Sequence, residues 1–277
     1  GLINPSEWKI YELTNHPGLL FIKNPFTPLG QRYWMVRCLQ DYPKSPNHTN
    51  LTGQSIENDW WGDYNAIQDP REKSKFGKTL RWTTLGYHYD WTNKIYDENF
   101  KNEFPSDLCE MIQYCANILN YRNYKPEAAI VNFYPIGSTL SGHTDHSERN
   151  LDAPLFSFSF GQSAIFLIGG QTKNETPDAI LLNSGDILIM SRQSRLSYHA
   201  VPRIMPTINE SWNILNENNE KLMEIETNRI TTTTNIDLNV WKLCGLKSFW
   251  ENFNNYIKNS RINMNVRQVL NENENHL

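Results

Sequence analysis

Three side chains have the types and spacing to hold a metal ion. His143-Thr-Asp145 is an H-x-D triplet between a Gly/Ser-rich approach and a polar turn. In a strand, residues i and i+2 share a face, so the imidazole and the carboxylate would converge on one point. A second imidazole, His199, lies on a later strand-like run. Two His and one carboxylate with the opposite face open form the facial triad of non-haem Fe(II) oxygenases, with three positions left for co-substrate and oxygen. The competing reading is a surface His–Asp pair, because H-x-D triplets are common by chance. His16, His48, His88 and His276 stand in settings that suggest no ligand role.

Arg261 and Arg267 stand six residues apart in RINMNVRQVL, on one face if that run is a strand. An Arg facing into a barrel is costly to bury unless a carboxylate meets its planar fork. A dicarboxylate co-substrate such as 2-oxoglutarate would serve, and so would an internal Asp or Glu. Asn132 and Tyr134, also i and i+2, could donate to one ligand from a single face; a buried Tyr satisfying a backbone carbonyl is the alternative.

The elements that must position these residues follow from the patterning. Apolar runs at helical spacing predict helices near 26–41, 105–121 and 238–257. From 127 onward short β-type runs succeed one another: AAIVNFY, LFSFSF, AIFLIGG, AILLNSG, DILIMS and YHAVPR. Phe156, Phe158 and Phe160 alternate with Ser157 and Ser159, the pattern of a half-buried strand. Many short strands punctuated by Gly and Asn indicate a sandwich or jelly roll, closed by RINMNVRQVL. Residues 47–78 show no periodicity and predict a long loop. Residues 206–235, rich in Asn, Glu and Thr, predict a mobile insertion, and the tail ENENHL predicts fraying.

Composition bounds the remaining possibilities. The chain has 277 residues, 39% of them hydrophobic and 20% charged. Disordered and fibrous classes are therefore excluded. No run approaches the ~20 apolar residues of a membrane helix. A net charge of −4 argues against coating DNA by bulk charge and leaves room for a local basic patch. Cys38, Cys109, Cys115 and Cys244 form no C-x-x-C pair and read as buried thiols in a reducing compartment. The sequons at Asn47, Asn50, Asn174 and Asn209 are what a chain this rich in Asn produces by chance. The chain starts at Gly and reads as trimmed, so its compartment is not legible from that end.

The combined motifs are far more specific than the triplet alone. VNFYPIGSTLSGHTDHSERNLDAPLFSFSFGQSAIFLIGG, then LNSGDILIMSRQSRLSYHAVPR and RINMNVRQ, resemble the AlkB family of Fe(II)/2-oxoglutarate dioxygenases. FSFGQSAIFLIGG, LRWTTLGYHYDW and WKIYELTNHPGLLFIKNPF are similar to its AlkB homolog 1 group. The resemblance covers most of 7–204 and returns at 260–270, while 206–258 match poorly. It implies an α+β protein with a double-stranded β-helix (jelly roll) core over 127–277. N-terminal helices and a nucleotide-recognition loop region over 1–126 would complete one structural unit.

It also implies roles. His143, Asp145 and His199 hold Fe(II). Arg261 meets the distal carboxylate of 2-oxoglutarate, with Asn132 and Tyr134 donating to it. Asn263 is a further candidate contact, and Arg267 lies near the same pocket. Oxygen is the co-substrate, succinate and carbon dioxide are products, and a methyl group on a base nitrogen leaves as formaldehyde. The implied partner is tRNA or DNA carrying methylated adenine, with methylated cytosine as a further candidate. Unpaired, bulged or looped bases are preferred because extrusion costs least there. An oxygenase acting on methylated protein side chains, such as histone lysine, is the alternative. A basic stretch, REKSKFGKTLR, lies beside several Trp, which suits a flipped or single-stranded base. Trp82, Tyr89 and Tyr96 are the candidates for the base pocket, with Lys78 and Arg81 beside them. His146 and Ser147 depart from the bacterial relative, which has a basic and an acidic residue there, so phosphate grip and base choice do not carry over. A monomer in the nucleus, mitochondrion or cytoplasm is the expectation.

Overall fold

The computed structural model describes residues 1–54, 59–213, 224, 226, 227 and 234–277. In chain order the strands are β1 (Lys9–Glu12), β2 (Leu19–Lys23), β3 (His48–Thr49), β4 (Trp82–Asp90), β5 (Ile95–Lys101), β6 (Ala128–Pro135) and β7 (Leu140–His143). They continue with β8 (Leu155–Gly161), β9 (Ser163–Ile168), β10 (Asp178–Leu182), β11 (Ile187–Met190), β12 (His199–Met205) and β13 (Ser260–Arg267). The helices are α1 (Pro28–Val36), α2 (Trp60–Ala66), α3 (Pro70–Phe76), α4 (Ser106–Ile118), α5 (Leu238–Gly245) and α6 (Lys247–Ile257).

A large antiparallel sheet runs β1-β2-β11-β8-β13-β6-β4-β3, with β5 paired to β4. A small sheet runs β10-β9-β12-β7. Leu155 and Leu188 of the large sheet pack with Phe166, Ile168 and Val201 of the small one, forming the core between the layers. The other face of the large sheet carries Phe156, Phe158, Phe160, Phe133 and Met264, which pack in one cluster with Trp34 of α1, Ile112 of α4, Trp241 of α5 and Phe253 of α6. The result is a helix-backed double-stranded β-helix of α+β class. The chain changes sheets between β8 and β9 at Gly161, whose φ is +78°. A Cβ there would lie 2.5 Å from the Ser260 carbonyl oxygen, so only glycine fits this corner.

The alternation in β8 has a meaning the sequence hid. Ser159 is buried, not solvated, and donors on β13 reach both serines: Arg261 Nη2 to Ser159 Oγ at 3.0 Å and Asn263 Nδ2 to Ser157 Oγ at 2.9 Å. The polar face of this strand is turned into the molecule.

Three further expectations change. The stretch 47–78 holds β3, α2 and α3 as well as loops; Asp59 and Asp69 cap helices of only two turns, too short to show a period. Residues 55–58 lie outside the described part. The helix expected over 238–257 is two helices, divided where Leu246 takes an extended conformation (ψ 125°) after Gly245. The tail is partly anchored, because the Leu277 amide donates to Glu98 at 2.9 Å. Of the insertion expected over 206–235, residues 214–223, 225 and 228–233 lie outside the described part; Trp212 at its start is fully buried. No helix among the described residues is long and apolar enough to cross a membrane.

His88 on β4 is 1% exposed. Asn102 Nδ2 donates to its Nε2 at 2.7 Å, so the ring is neutral and its Nδ1–H donates to Thr84 Oγ1 at 2.8 Å. Burial, then the neighbouring His48, push its pKa down to about 4. The unfolded chain therefore takes up a proton below about 6.5 that the folded chain refuses. Stability is intact above pH 6.5 and falls as the pH drops toward 4, by about 3 kcal/mol from this group. Urea unfolding at pH 7 and pH 5 checks this. His88→Gln should lose less stability across that interval, and equal losses would contradict the assignment.

Candidate metal centre and adjoining cavity

His143 ends β7 and His199 begins β12, and the two strands pair with these residues directly opposite one another. Their ring centroids are 4.3 Å apart. Asp145, just past β7, brings Oδ2 to 3.7 Å from His199 Nε2. One ligand atom from each of the three lies within 4.8 Å of the others. Nδ1 of His143 contacts the Ser141 carbonyl at 2.9 Å, and Nδ1 of His199 contacts the Ser197 carbonyl at 3.1 Å. A carbonyl only accepts, so each ring carries its proton on Nδ1 and keeps the Nε2 lone pair free for a metal.

Two arginines hold Asp145 in place, Arg267 through its carboxylate and Arg195 through its backbone carbonyl. Arg267 Nη2 reaches Asp145 Oδ1 at 2.9 Å, and its Nη1 reaches Glu148 Oε1 at 2.9 Å. Arg195 donates to the Asp145 carbonyl at 2.6 Å and to Glu148 Oε2 at 2.8 Å. Burial pushes the Asp145 carboxyl up, but Arg267, then His199, His143 and Arg195, outweigh it and hold the pKa at about 2. Burial is the largest influence on His199 and keeps that imidazole neutral, which suits a ligand. Glu148 and Arg195 were not legible beforehand, since neither sits at a spacing that any ligand rule selects.

Arg261 is the unusual group. It is 2% exposed, and only Nη2 has a partner; Nε and Nη1 are buried without one among the described residues. Burial lowers its pKa to about 10, and no carboxylate stands beside it. The internal Asp or Glu that could have met it is therefore absent among the described residues. Tyr134, its cross-strand partner, lies with its ring 5.7 Å from the guanidinium carbon. A buried cation with two idle donors fits an incoming carboxylate. The donor set of two imidazoles and one carboxylate, free of thiolate, fits Fe(II).

A cavity of about 350 Å³ opens beside His143 and Asp145; Arg261 and His199 are not among the residues that line it. Asn132 and Tyr134 line it, as do His143, Asp145 and Arg267. Asn263 lies off this lining and spends both amide protons internally, on Ser157 Oγ and the Phe158 carbonyl (3.0 Å). Of the expected base-pocket residues, Tyr89 lines the cavity and contacts Ser147 Oγ at 3.1 Å. Tyr96 does not: it is buried behind Arg267 and Glu148, with Arg267 Nη1 3.3 Å from its hydroxyl. Trp82 is set back, 5.4 Å from Trp91. Lys78 lines a different cavity, and Arg81 is exposed just before β4. Trp91 was missed. It sits at the turn between β4 and β5, 47% exposed, over the cavity with Lys94. Its signal was the aromatic spacing Tyr89-Asp-Trp91, which a turn converts into a platform.

The 2OG-Fe(II) oxygenase superfamily profile matches residues 18–267. Human nucleic acid dioxygenase ALKBH1 is 39% identical over 98% of this chain and 69% of its own length. The tRNA demethylase abh1 of Schizosaccharomyces pombe is 36% identical over 74% of this chain and 76% of its own length. The solved structure of OsALKBH1 superposes with a TM-score of 0.58 at 19% identity, covering 94% of this chain and all of that one, which shows the shared fold.

Proposed function

The chain belongs to the 2OG-Fe(II) oxygenase superfamily, in its AlkB homolog 1 group, and from that premise we propose an Fe(II)/2-oxoglutarate-dependent demethylase of N-methylated bases in tRNA or DNA. The observation that carries the reading is the buried, half-satisfied Arg261, whose cross-strand partner Tyr134 lines one cavity with His143 and Asp145 of a two-His, one-Asp cluster.

His143, Asp145 and His199 would hold the iron, and Arg261 the far carboxylate of 2-oxoglutarate, with Asn132 and Tyr134 alongside. When bound, iron and 2-oxoglutarate supply with oxygen the oxidising power that hydroxylates an N-methyl group, which then leaves as formaldehyde. The chain's own work is geometric and electrostatic. Arg267 and Arg195 fix Asp145 as an ionised ligand, and the two backbone carbonyls fix the imidazole tautomers. Trp91 and Tyr89 offer an aromatic edge and face for a base turned out of its stack. A lone extruded base suits a cavity of this size, so unpaired, bulged and looped sites are the preferred substrates. The nucleic-acid activities for which the relatives are named favour nucleic acid over methylated protein side chains.

The test is mass spectrometry of oligonucleotides carrying 1-methyladenine or N6-methyladenine in paired, bulged and stem-loop settings, with methyl-lysine peptides in parallel. Iron-dependent methyl loss from unpaired bases is expected, and loss from peptides alone would overturn the reading. Trp91→Ala should raise KM for the oligonucleotide roughly 10- to 100-fold, the usual range for losing one stacked base. An unchanged KM would remove Trp91 from the substrate path.

A further inference from the structure

We infer a second nucleic-acid contact, separate from the base cavity: a groove between α3 and α6 that grips backbone phosphates of the strand flanking the target base. The inference rests on the nucleic-acid reading above. The groove holds about 380 Å³. Lys73 and Lys78 line one wall, and Asn255 of α6 with Asn259 of the turn after it line the other; no acidic side chain lines it. Lys73 Nζ sits 4.7 Å over the Tyr64 ring, so an aromatic face holds that ammonium at the groove wall. Neither lysine forms an ion pair with a described residue, which leaves both charges for a partner. Two cations flanked by neutral amide donors match a phosphodiester, which carries one negative charge per unit and only accepts hydrogen bonds.

The groove's position favours a flanking segment over the target base. Its floor includes Pro135 and Ser260, a cross-strand pair, and the next pair along the same strands is Tyr134 with Arg261. Arg267, which touches Asp145, lies seven residues from Ser260 along β13, on the order of 20 Å away. A strand whose methylated base enters at the Arg267 end of the cavity would therefore need several further nucleotides to arrive here, past the Tyr134 end that adjoins Pro135. The exposed Arg81, between Lys78 and β4, lies on the way. The overall charge of −4 is consistent with a grip confined to one place.

The experiment is fluorescence-anisotropy binding of an unpaired oligonucleotide of about 20 nucleotides across a salt series. The parent is compared with Lys73→Ala/Lys78→Ala and, as a control, with Lys9→Ala/Lys23→Ala at exposed positions of β1 and β2. Losing two phosphate contacts should reduce the slope of log K against log salt by about 1.4, so between 50 and 200 mM salt the parent loses about sevenfold more affinity than the variant. The control pair should keep the parent slope. KM with the same oligonucleotide should rise in the groove variant more than KM with a dinucleotide substrate. A parent-like slope would overturn the inference, and so would equal KM losses on both substrates, which would assign the lysines to the base cavity itself. Binding is read without turnover, so a failure to demethylate any nucleic acid would sink the proposed function and leave the groove measurement standing.

Discussion

Arg261→Met is expected to bind 2-oxoglutarate at least ~100-fold more weakly while the ligand-free protein unfolds at a higher denaturant concentration than the parent. The two effects have one cause. The guanidinium of Arg261 is buried on β13 with two nitrogens unpartnered among the described residues, and no described carboxylate offsets the cost of removing it from water. Each charged hydrogen bond that 2-oxoglutarate would complete is worth roughly 1.5–3 kcal/mol, and two of them give the ~100-fold or greater loss. Methionine fills similar volume without the desolvation cost, which predicts a gain of about 1–4 kcal/mol for the ligand-free chain. Isothermal titration with 2-oxoglutarate and urea unfolding measure the two halves separately. If Arg261→Met is destabilised and still binds 2-oxoglutarate normally, Arg261 is a structural residue and another group receives the co-substrate.

Asp145→Asn is expected to leave the fold intact and reduce both iron affinity and turnover by ~1,000-fold or more. Asparagine keeps the shape but removes the negative charge that Arg267, His199 and His143 hold in its ionised form. A supporting partner of a metal ligand is worth roughly 10–100-fold, and a ligand itself should exceed that. Glu148→Gln, which leaves Asp145 in place but loosens both arginines, supplies the comparison and should fall in the supporting range. Metal content of purified protein and Co(II) titration read the affinity without reference to turnover. Equal losses in the two variants would mean that Asp145 acts through the arginine network and not on the metal.

The sequence and the structure agree where a physical period or a fixed offset exists. Arg261 and Arg267 are six residues apart within β13, which turns the offset into a shared face, and His143 and Asp145, two apart, converge although Asp145 lies just past the end of β7. The β-runs from 127 onward stand out because Gly and Asn interrupt apolar segments at regular intervals. The misreadings have physical reasons of their own. Alternation tells which residues differ in surroundings, not what the polar side faces; Ser157 and Ser159 meet Asn263 and Arg261 where water was expected. Helices α2 and α3 are too short for a 3.6-residue period to emerge, and their aspartate caps were the better guide. Tyr96 is the direct cross-strand partner of Tyr89 and shares its face, yet it is buried with its hydroxyl engaged by Arg267 and Glu148, contacts that only tertiary packing decides. Glu148 and Arg195 meet only through tertiary packing, so no local pattern announces them.

The two imidazoles belong to the small sheet, whereas Arg261, Asn132 and Tyr134 belong to the large one, and Asp145 reaches across to Arg267. The spacing between layers is therefore a shared variable of both binding equilibria. Any fluctuation that parts the sheets weakens metal and co-substrate together, and each bound species narrows the range of separations open to the other. Thermodynamic linkage makes that help mutual, so the pair behaves as a rivet through the sandwich. Amide exchange in β7 and β12 should slow more with both species present than the two separate slowings combined.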